Sequence, residues 1–159
     1  MTRYAFTVCA QAHYDAAHYL RNYAGKCAKL HGHRYVVEAA VQLTELDDSG
    51  IAFDFVDLKS ALKALADGLD HENLNELPAF EGVETSAENQ ARYFFEQLKA
   101  RLPEPAASGL AYARVWESPT QWAQYGPVAE TGPVRSARSA KSNRSTKVAR
   151  PRGTGGGRR

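Results

Sequence analysis

The 159-residue sequence has few of the features of a disulfide-stabilised or membrane-spanning protein. It contains only two cysteines, Cys9 and Cys27, and no stretch approaches the roughly 18 to 20 apolar residues of a transmembrane helix. Residues 1–12 lack a charged leader followed by a long apolar core. We therefore expect a soluble, cytoplasmic protein without membrane contacts. In that compartment a cysteine near histidines is more often catalytic or metal-binding than disulfide-bonded.

The modest net charge of +2 conceals an uneven distribution. Residues 1–126 hold eleven basic and seventeen acidic side chains, a net charge of −6, whereas nine basic residues fall at Arg135 or later. The change in composition predicts one domain over 1–126 and a disordered basic tail over 127–159. Such a tail can contact RNA electrostatically. No aromatic residue follows Tyr125 to stack on bases, so we favour a functionally neutral extension.

Hydrophobic periodicity predicts an α+β domain. Apolar and polar residues alternate over 3–11 and 33–44, which indicates two strands. Behind Asp54, a typical N-cap residue, apolar residues recur at helical spacing as far as Leu69. Residues 85–88 resemble a capping box that begins a second helix, which the prolines after residue 102 end. Strands over 110–117 and 121–125 complete the order ββααββ.

The histidines are confined to the first 71 residues and suggest a metal site. His31 and His33 are two residues apart at the start of the second predicted strand, so both imidazoles fall on one face. His18 can add a third nitrogen from the neighbouring strand. Three neutral imidazoles favour zinc with an open fourth position. Cys27 lies four residues before His31, and as a fourth ligand it would instead close a structural site.

Three further residues are candidates for catalysis or substrate binding. Asp70 and His71 follow the first predicted helix, where a carboxylate can fix the tautomer of a proton-shuttling imidazole. A histidine that interacts only with the helix dipole is an equally good interpretation. Glu117 shares a strand face with small apolar residues, so it either reaches water or accepts two parallel N–H bonds from a planar ligand.

Six ordered sequence blocks resemble the 6-pyruvoyltetrahydropterin synthase superfamily. They are HYDAAH at 13–18, CAKLHGH at 27–33, FDFVDLK at 53–59, LDHENLN at 69–75, ETSAEN at 84–89 and VWES at 115–118. Their order and spacing match over residues 3–126. The resemblance implies the tunnelling fold, an antiparallel sheet with two helices packed on one face. Such subunits join their sheets around a channel, usually as a homohexamer of two trimers.

The resemblance also implies a substrate and a set of residue roles. The substrate would be 7,8-dihydroneopterin triphosphate. Zinc would lie on His18, His31 and His33, with Cys27 as general base, Asp70 and His71 as its proton-relay partners, and Glu117 gripping the pterin. Thr85 matches a family threonine near the pterin, although the residue pattern alone requires it only as a helix cap.

The spacing of Cys27 before His31 resembles that of the queuosine-type branch, the 6-carboxytetrahydropterin synthases. The expected product is 6-carboxy-5,6,7,8-tetrahydropterin, with loss of triphosphate and acetaldehyde. Two alternatives are a 6-pyruvoyltetrahydropterin synthase and a non-catalytic, zinc-stabilised pterin-binding module. The chain departs from the family pattern at His13, which we interpret as a strand residue without a metal role, and in the tail after Gly126.

Overall fold

The computed structural model describes residues 4–128, which form one antiparallel sheet with two helices. The sheet order follows the chain, so β1 and β4 are its two edges. The elements are β1 (Phe6–His18), β2 (His31–Leu43), α1 (Phe55–Asp67), α2 (Ala87–Arg101), β3 (Leu110–Ser118) and β4 (Gln121–Tyr125). The predicted fold class and the order ββααββ are confirmed.

The first strand is longer than its sequence pattern indicates. The predicted strand ends at Gln11, but β1 continues to His18, and buried and exposed side chains keep alternating as far as that residue. Ala12, Tyr14 and Ala16 are buried on the helix side of the sheet, while the residues between them are more exposed. β2 likewise begins at His31, two residues earlier than predicted. The two strands pair without a register shift from Phe6 opposite Leu43 to His18 opposite His31.

Both helices pack on the same face of the sheet and enclose the core. The rings of Tyr14 and Tyr35 stack with centroids 4.9 Å apart on neighbouring strands, and Phe94 of α2 lies 5.6 Å from Tyr14. Leu58 and Leu62 of α1 are fully buried against the same sheet face. Burial of such apolar side chains is the main favourable term in folding, at about 1.5 to 3 kcal/mol each.

The helix starts follow from local capping, with one correction. Asp54 caps α1 as predicted, since its carboxylate accepts a hydrogen bond from the Val56 N–H at 2.7 Å. Ser86, not Thr85, caps α2 and accepts from the Asn89 N–H at 3.5 Å. The capping box expected from Thr85 was therefore wrong by one residue, which leaves the Thr85 hydroxyl available for other contacts.

The described part of the chain belongs to a compact unit that ends at Val128. No helix within 4–128 is long and apolar enough to cross a bilayer. The predicted basic tail falls almost entirely on residues 129–159, which lie outside the described residues.

Candidate metal centre and active site

The strand register brings three histidines into one cluster. His18 ends β1 directly opposite His31, which begins β2, and His33 follows two residues later on the same strand face. The ligand-capable atoms of these side chains lie within 4.8 Å of one another. Their ring centroids are 4.5 to 5.2 Å apart. The three residues predicted from spacing therefore form a group that can hold a metal ion.

Backbone carbonyls fix the tautomers of two of these rings. The Nδ1 of His18 lies 2.9 Å from the Thr85 carbonyl, and the Nδ1 of His31 lies 2.7 Å from the Lys29 carbonyl. A carbonyl oxygen only accepts, so each Nδ1 carries the proton and each Nε2 keeps its lone pair. The Nε2 of His18 is buried and has no hydrogen-bond partner within 4–128. An orphaned imidazole nitrogen beside two further imidazoles fits a metal ligand.

The environment of His18 favours its neutral form. Burial lowers the pKa of His18 below its ordinary value, and the nearby His31 and His33 act in the same direction. The hydrogen bond to the Thr85 carbonyl opposes this shift but does not reverse it. A histidine binds a metal ion only when its imidazole is neutral. This shift therefore agrees with a role as ligand.

Cys27 and Glu117 share a cavity with His18. The cavity has a volume of about 370 Å³ and is also lined by Tyr23 and Trp122. Glu117 Oε1 lies 3.9 Å from His18 Nε2, and the Glu117 side chain is 29% exposed. The register of β3 and β4 shifts between Trp116 and Ser118, so Glu117 lies in a bulge that can redirect its side chain. Glu117 is therefore neither a solvated edge residue nor fully buried.

The position of Cys27 separates it from the histidine cluster. It lies in the short 3-10 turn Lys26–Ala28, and its carbonyl accepts a hydrogen bond from the Leu20 N–H at 2.8 Å. Within the described residues, the metal-capable group contains the three histidines but not Cys27. This geometry favours an open three-histidine site over a closed site with a thiolate ligand.

Asp70 and His71 form the side-chain hydrogen bond that the sequence left open. The His71 Nδ1 lies 2.7 Å from Asp70 Oδ2, while Asp70 Oδ1 accepts from the Asp15 N–H at 2.8 Å. His71 has a φ of 60°, in the left-handed region that glycine usually occupies. The two hydrogen bonds lower the pKa of Asp70, the Asp15 N–H having the larger effect. The contact with Asp70 raises the pKa of His71.

His71 and Cys27 line different cavities of the chain. His71 borders a cavity of about 590 Å³ with His33 and Asp15, near the outer edge of β1. His33 lines this cavity, and His18 lines the cavity that contains Cys27, so the histidine cluster borders both cavities. The catalytic residues predicted from sequence are thus on two sides of the histidines.

His13 faces away from the metal-capable group. It is exposed on the sheet face opposite the helices, in a cavity that Arg34 and Trp116 also line. Within 4–128 it is not among the residues whose ligand atoms cluster. Its placement agrees with the interpretation of a strand residue without a metal role.

Residues near the site that the sequence analysis missed are Tyr14, Tyr23, Gln90 and Trp122. For Gln90 a signal was present. It is a polar residue four positions before Phe94, on the buried face of a helix, and its side chain is fully buried. For Tyr23 and Trp122 no local pattern distinguishes a cavity wall from an exposed aromatic residue.

Comparisons with known proteins agree with this fold. The model of the 6-pyruvoyl tetrahydropterin synthase family matches residues 7–127. The 6-carboxy-5,6,7,8-tetrahydropterin synthase of Bacillus subtilis is 31% identical over 133 residues, which cover 78% of this chain and 87% of that protein. The 6-pyruvoyl tetrahydrobiopterin synthase of Dictyostelium discoideum is 38% identical over 76 residues, covering 46% and 56% of the two chains.

Similarity to a solved structure extends over the same part of the chain. The structure of Caenorhabditis elegans 6-pyruvoyl tetrahydropterin synthase aligns with a TM-score of 0.70 and 28% identity, covering 80% of this chain and all of that one. The protein has the subunit fold of a pterin-processing enzyme. The chain belongs to the 6-pyruvoyl tetrahydropterin synthase family.

The Asp70 carboxylate can be tested as the cause of the raised His71 pKa. We expect Asp70→Asn to lower the pKa of His71 towards its ordinary value, because the substitution removes the negative charge that stabilises the imidazolium. The measurement is a pH titration of the histidine ring protons by NMR. Glu72→Gln removes a neighbouring carboxylate without altering this hydrogen bond and should leave the titration unchanged. An unchanged His71 pKa in Asp70→Asn would contradict the pairing.

Proposed function

We propose that this protein is a zinc-dependent 6-carboxy-5,6,7,8-tetrahydropterin synthase acting on 7,8-dihydroneopterin triphosphate, an early step of queuosine biosynthesis. The main support is the three-histidine group, whose buried member His18 shares a cavity with a thiol and a carboxylate. His18, His31 and His33 would hold the zinc ion, leaving a position for substrate. A divalent cation there would neutralise negative charge that develops on the substrate's side-chain oxygens.

Cys27 is the proposed general base. It lies on the wall of the same cavity as His18 without belonging to the histidine group, so it can approach substrate rather than metal. A thiol must be deprotonated to accept a proton, and a metal ion bound beside a thiol favours the thiolate. Cys27 would remove a proton from the substrate's side chain.

Glu117 is the proposed pterin anchor. A carboxylate can accept two parallel N–H bonds from the aminopyrimidinone edge of a pterin, and the bulge beside it allows the side chain to enter the cavity. Tyr23 and Trp122 line the same cavity and offer flat apolar surfaces to a bicyclic ring. Thr85 is fully buried, and its carbonyl contacts His18, so its proposed role near the pterin is to support that imidazole and not to contact the ring directly.

Asp70 and His71 are the proposed proton-relay pair, acting between subunits. Within the described chain His71 borders a different cavity from Cys27. β4 and the N-terminal part of β1 offer sheet edges through which antiparallel sheets can join, and a homohexamer built in this way would complete the site. The pair lies beside the C-terminal part of β1, whose outer edge is already paired with residues 71–73, since the Ala17 N–H donates to the Glu72 carbonyl. The raised His71 pKa suits a residue that donates and accepts protons near neutral pH.

The proposed reaction balances with one water molecule. The three-carbon side chain of the substrate loses triphosphate, one of its carbons is retained as the carboxylate, and the other two leave as acetaldehyde. A 6-pyruvoyltetrahydropterin synthase would eliminate triphosphate and retain all three carbons. The relative from Dictyostelium discoideum, which carries that name, supports this second candidate. The short spacing between Cys27 and His31 and the Bacillus subtilis relative support the first.

Zinc binding is tested by metal content. We expect about one zinc ion per chain, held by three imidazoles, and loss of most of it in His31→Ala. His13→Ala is a matched control because His13 belongs to the neighbouring strand but faces the other side of the sheet. Elemental analysis after exhaustive dialysis gives the number of zinc ions per chain in each variant. Full zinc retention in His31→Ala, or equal loss in both variants, would reject the assignment of the ligands.

The product identifies the reaction. We expect the zinc-loaded protein, incubated anaerobically with 7,8-dihydroneopterin triphosphate, to form 6-carboxytetrahydropterin and an equal amount of acetaldehyde. Mass spectrometry and a separate aldehyde assay measure the two products. A pyruvoyl product without acetaldehyde would move the protein to the second candidate. Bound ligand without any product would instead identify a non-catalytic pterin-binding module.

The role of Cys27 predicts a separation of turnover from metal binding. We expect Cys27→Ala to retain zinc and to reduce kcat by a factor of about 100 to 10,000, as removal of a general base does. Cys9→Ala is the control, since Cys9 is the other free cysteine and lines a different cavity. Loss of zinc together with activity in Cys27→Ala would identify Cys27 as a ligand.

A further inference from the structure

Gln90 is a fully buried polar residue within the apolar face of α2. Its Oε1 accepts a hydrogen bond from the Tyr14 hydroxyl at 2.6 Å, and its Nε2 donates to the Thr85 carbonyl at 2.8 Å. The Thr85 carbonyl is the same group that meets Nδ1 of His18 at 2.9 Å. A continuous chain of buried hydrogen bonds therefore runs from Tyr14 through Gln90 and Thr85 to His18. We call it the Tyr14–His18 chain.

The hydrogen-bond directions along this chain are determined. The Thr85 carbonyl only accepts hydrogen bonds, so the group of Gln90 that faces it must be the amide nitrogen. The amide oxygen of Gln90 then faces Tyr14, whose hydroxyl donates to it and stays neutral because burial raises its pKa. The Thr85 carbonyl has two lone pairs and accepts from both Gln90 and His18. Thr85 and Gln90 are fully buried, so water does not readily replace either partner.

Thr85 is also held from its other side. Its hydroxyl lies 3.2 Å from the Tyr19 carbonyl and 3.3 Å from Asn75 Oδ1. Asn75 in turn accepts from the Tyr19 N–H and donates to the Tyr19 carbonyl, both at 2.9 Å. The segment after His18 and the segment before α2 are therefore tied together. The Thr85 carbonyl has little freedom to turn away from the imidazole while Gln90 remains in place.

We propose that Gln90, oriented by Tyr14, is a positioning residue that holds the Thr85 carbonyl against His18 and thereby directs Nε2 of His18 towards the metal. This inference rests on the proposed zinc site at the three histidines. Groups that orient a ligating histidine through its second nitrogen change metal affinity by about 10- to 100-fold when they are removed. Gln90 is one residue further from the metal than such a group, because it acts on His18 through the Thr85 carbonyl.

The test compares zinc affinity with stability in the full chain. We expect Gln90→Leu to weaken zinc binding by about tenfold or more, measured by competition with a chelator of known affinity. Gln90→Leu also leaves the buried Tyr14 hydroxyl without its acceptor and should lower the melting temperature of the metal-free protein. The double variant Tyr14→Phe/Gln90→Leu removes both polar groups, so it should recover stability while zinc binding stays weak.

Leu98→Val provides the control for destabilisation alone. Leu98 is fully buried on the same helix but is not part of the Tyr14–His18 chain, so its variant should lose stability and keep the wild-type zinc affinity. Wild-type affinity in both Gln90 variants would overturn the proposal. So would recovery of affinity together with stability in the double variant, which would indicate a purely structural pair. Failure of the wild-type protein to bind zinc would instead reject the underlying zinc site.

Discussion

The pairing of β1 with β2 is the constraint on which the site depends. The antiparallel register places His18 opposite His31. A slip of one strand by one residue would turn all of its side chains to the other face of the sheet. The two stacked tyrosines oppose each other four residues from that pair, inside the core. The packing that buries the tyrosines therefore also fixes the histidines. The same alternation of buried and exposed residues along β1 and β2 specifies both the core and the metal-capable group.

The two faces of the sheet have different roles because only one is covered by helices. The covered face holds the core and, at the ends of the strands, the histidines and Glu117. The other face presents an ion pair between Arg114 and Glu38 at 3.1 Å, with the Arg114 guanidinium 4.3 Å from the Trp122 ring. A cation over an aromatic ring contributes about 0.5 to 2 kcal/mol, more as it is desolvated, and Arg114 is partly buried. This face is therefore polar, with its charged side chains held by specific contacts.

The subunit separates groups that the proposed chemistry requires together. Cys27 lies in a turn beside His18, whereas the Asp70–His71 pair is anchored by hydrogen bonds to Asp15 near the β1 edge. Backbone hydrogen bonds thus hold each half of the proposed catalytic set in place. In the proposed homohexamer a second chain would bring the two sets together, so assembly and catalysis would be linked. Catalytic groups held in place before substrate binds reduce the entropic cost of reaching the transition state.

The sequence by itself determined the α+β order, the N-cap at Asp54 and the histidine triad, because these depend on local periodicity, capping chemistry and spacing. It did not determine where β1 ends, which residue caps α2, or whether Asp70 contacts His71. Those outcomes depend on packing and on side-chain directions that adjacent positions do not encode. Only the tertiary structure revealed Gln90 beside the Tyr14 hydroxyl, since these two residues are 76 positions apart. Long-range hydrogen bonds of this kind have no local sequence period.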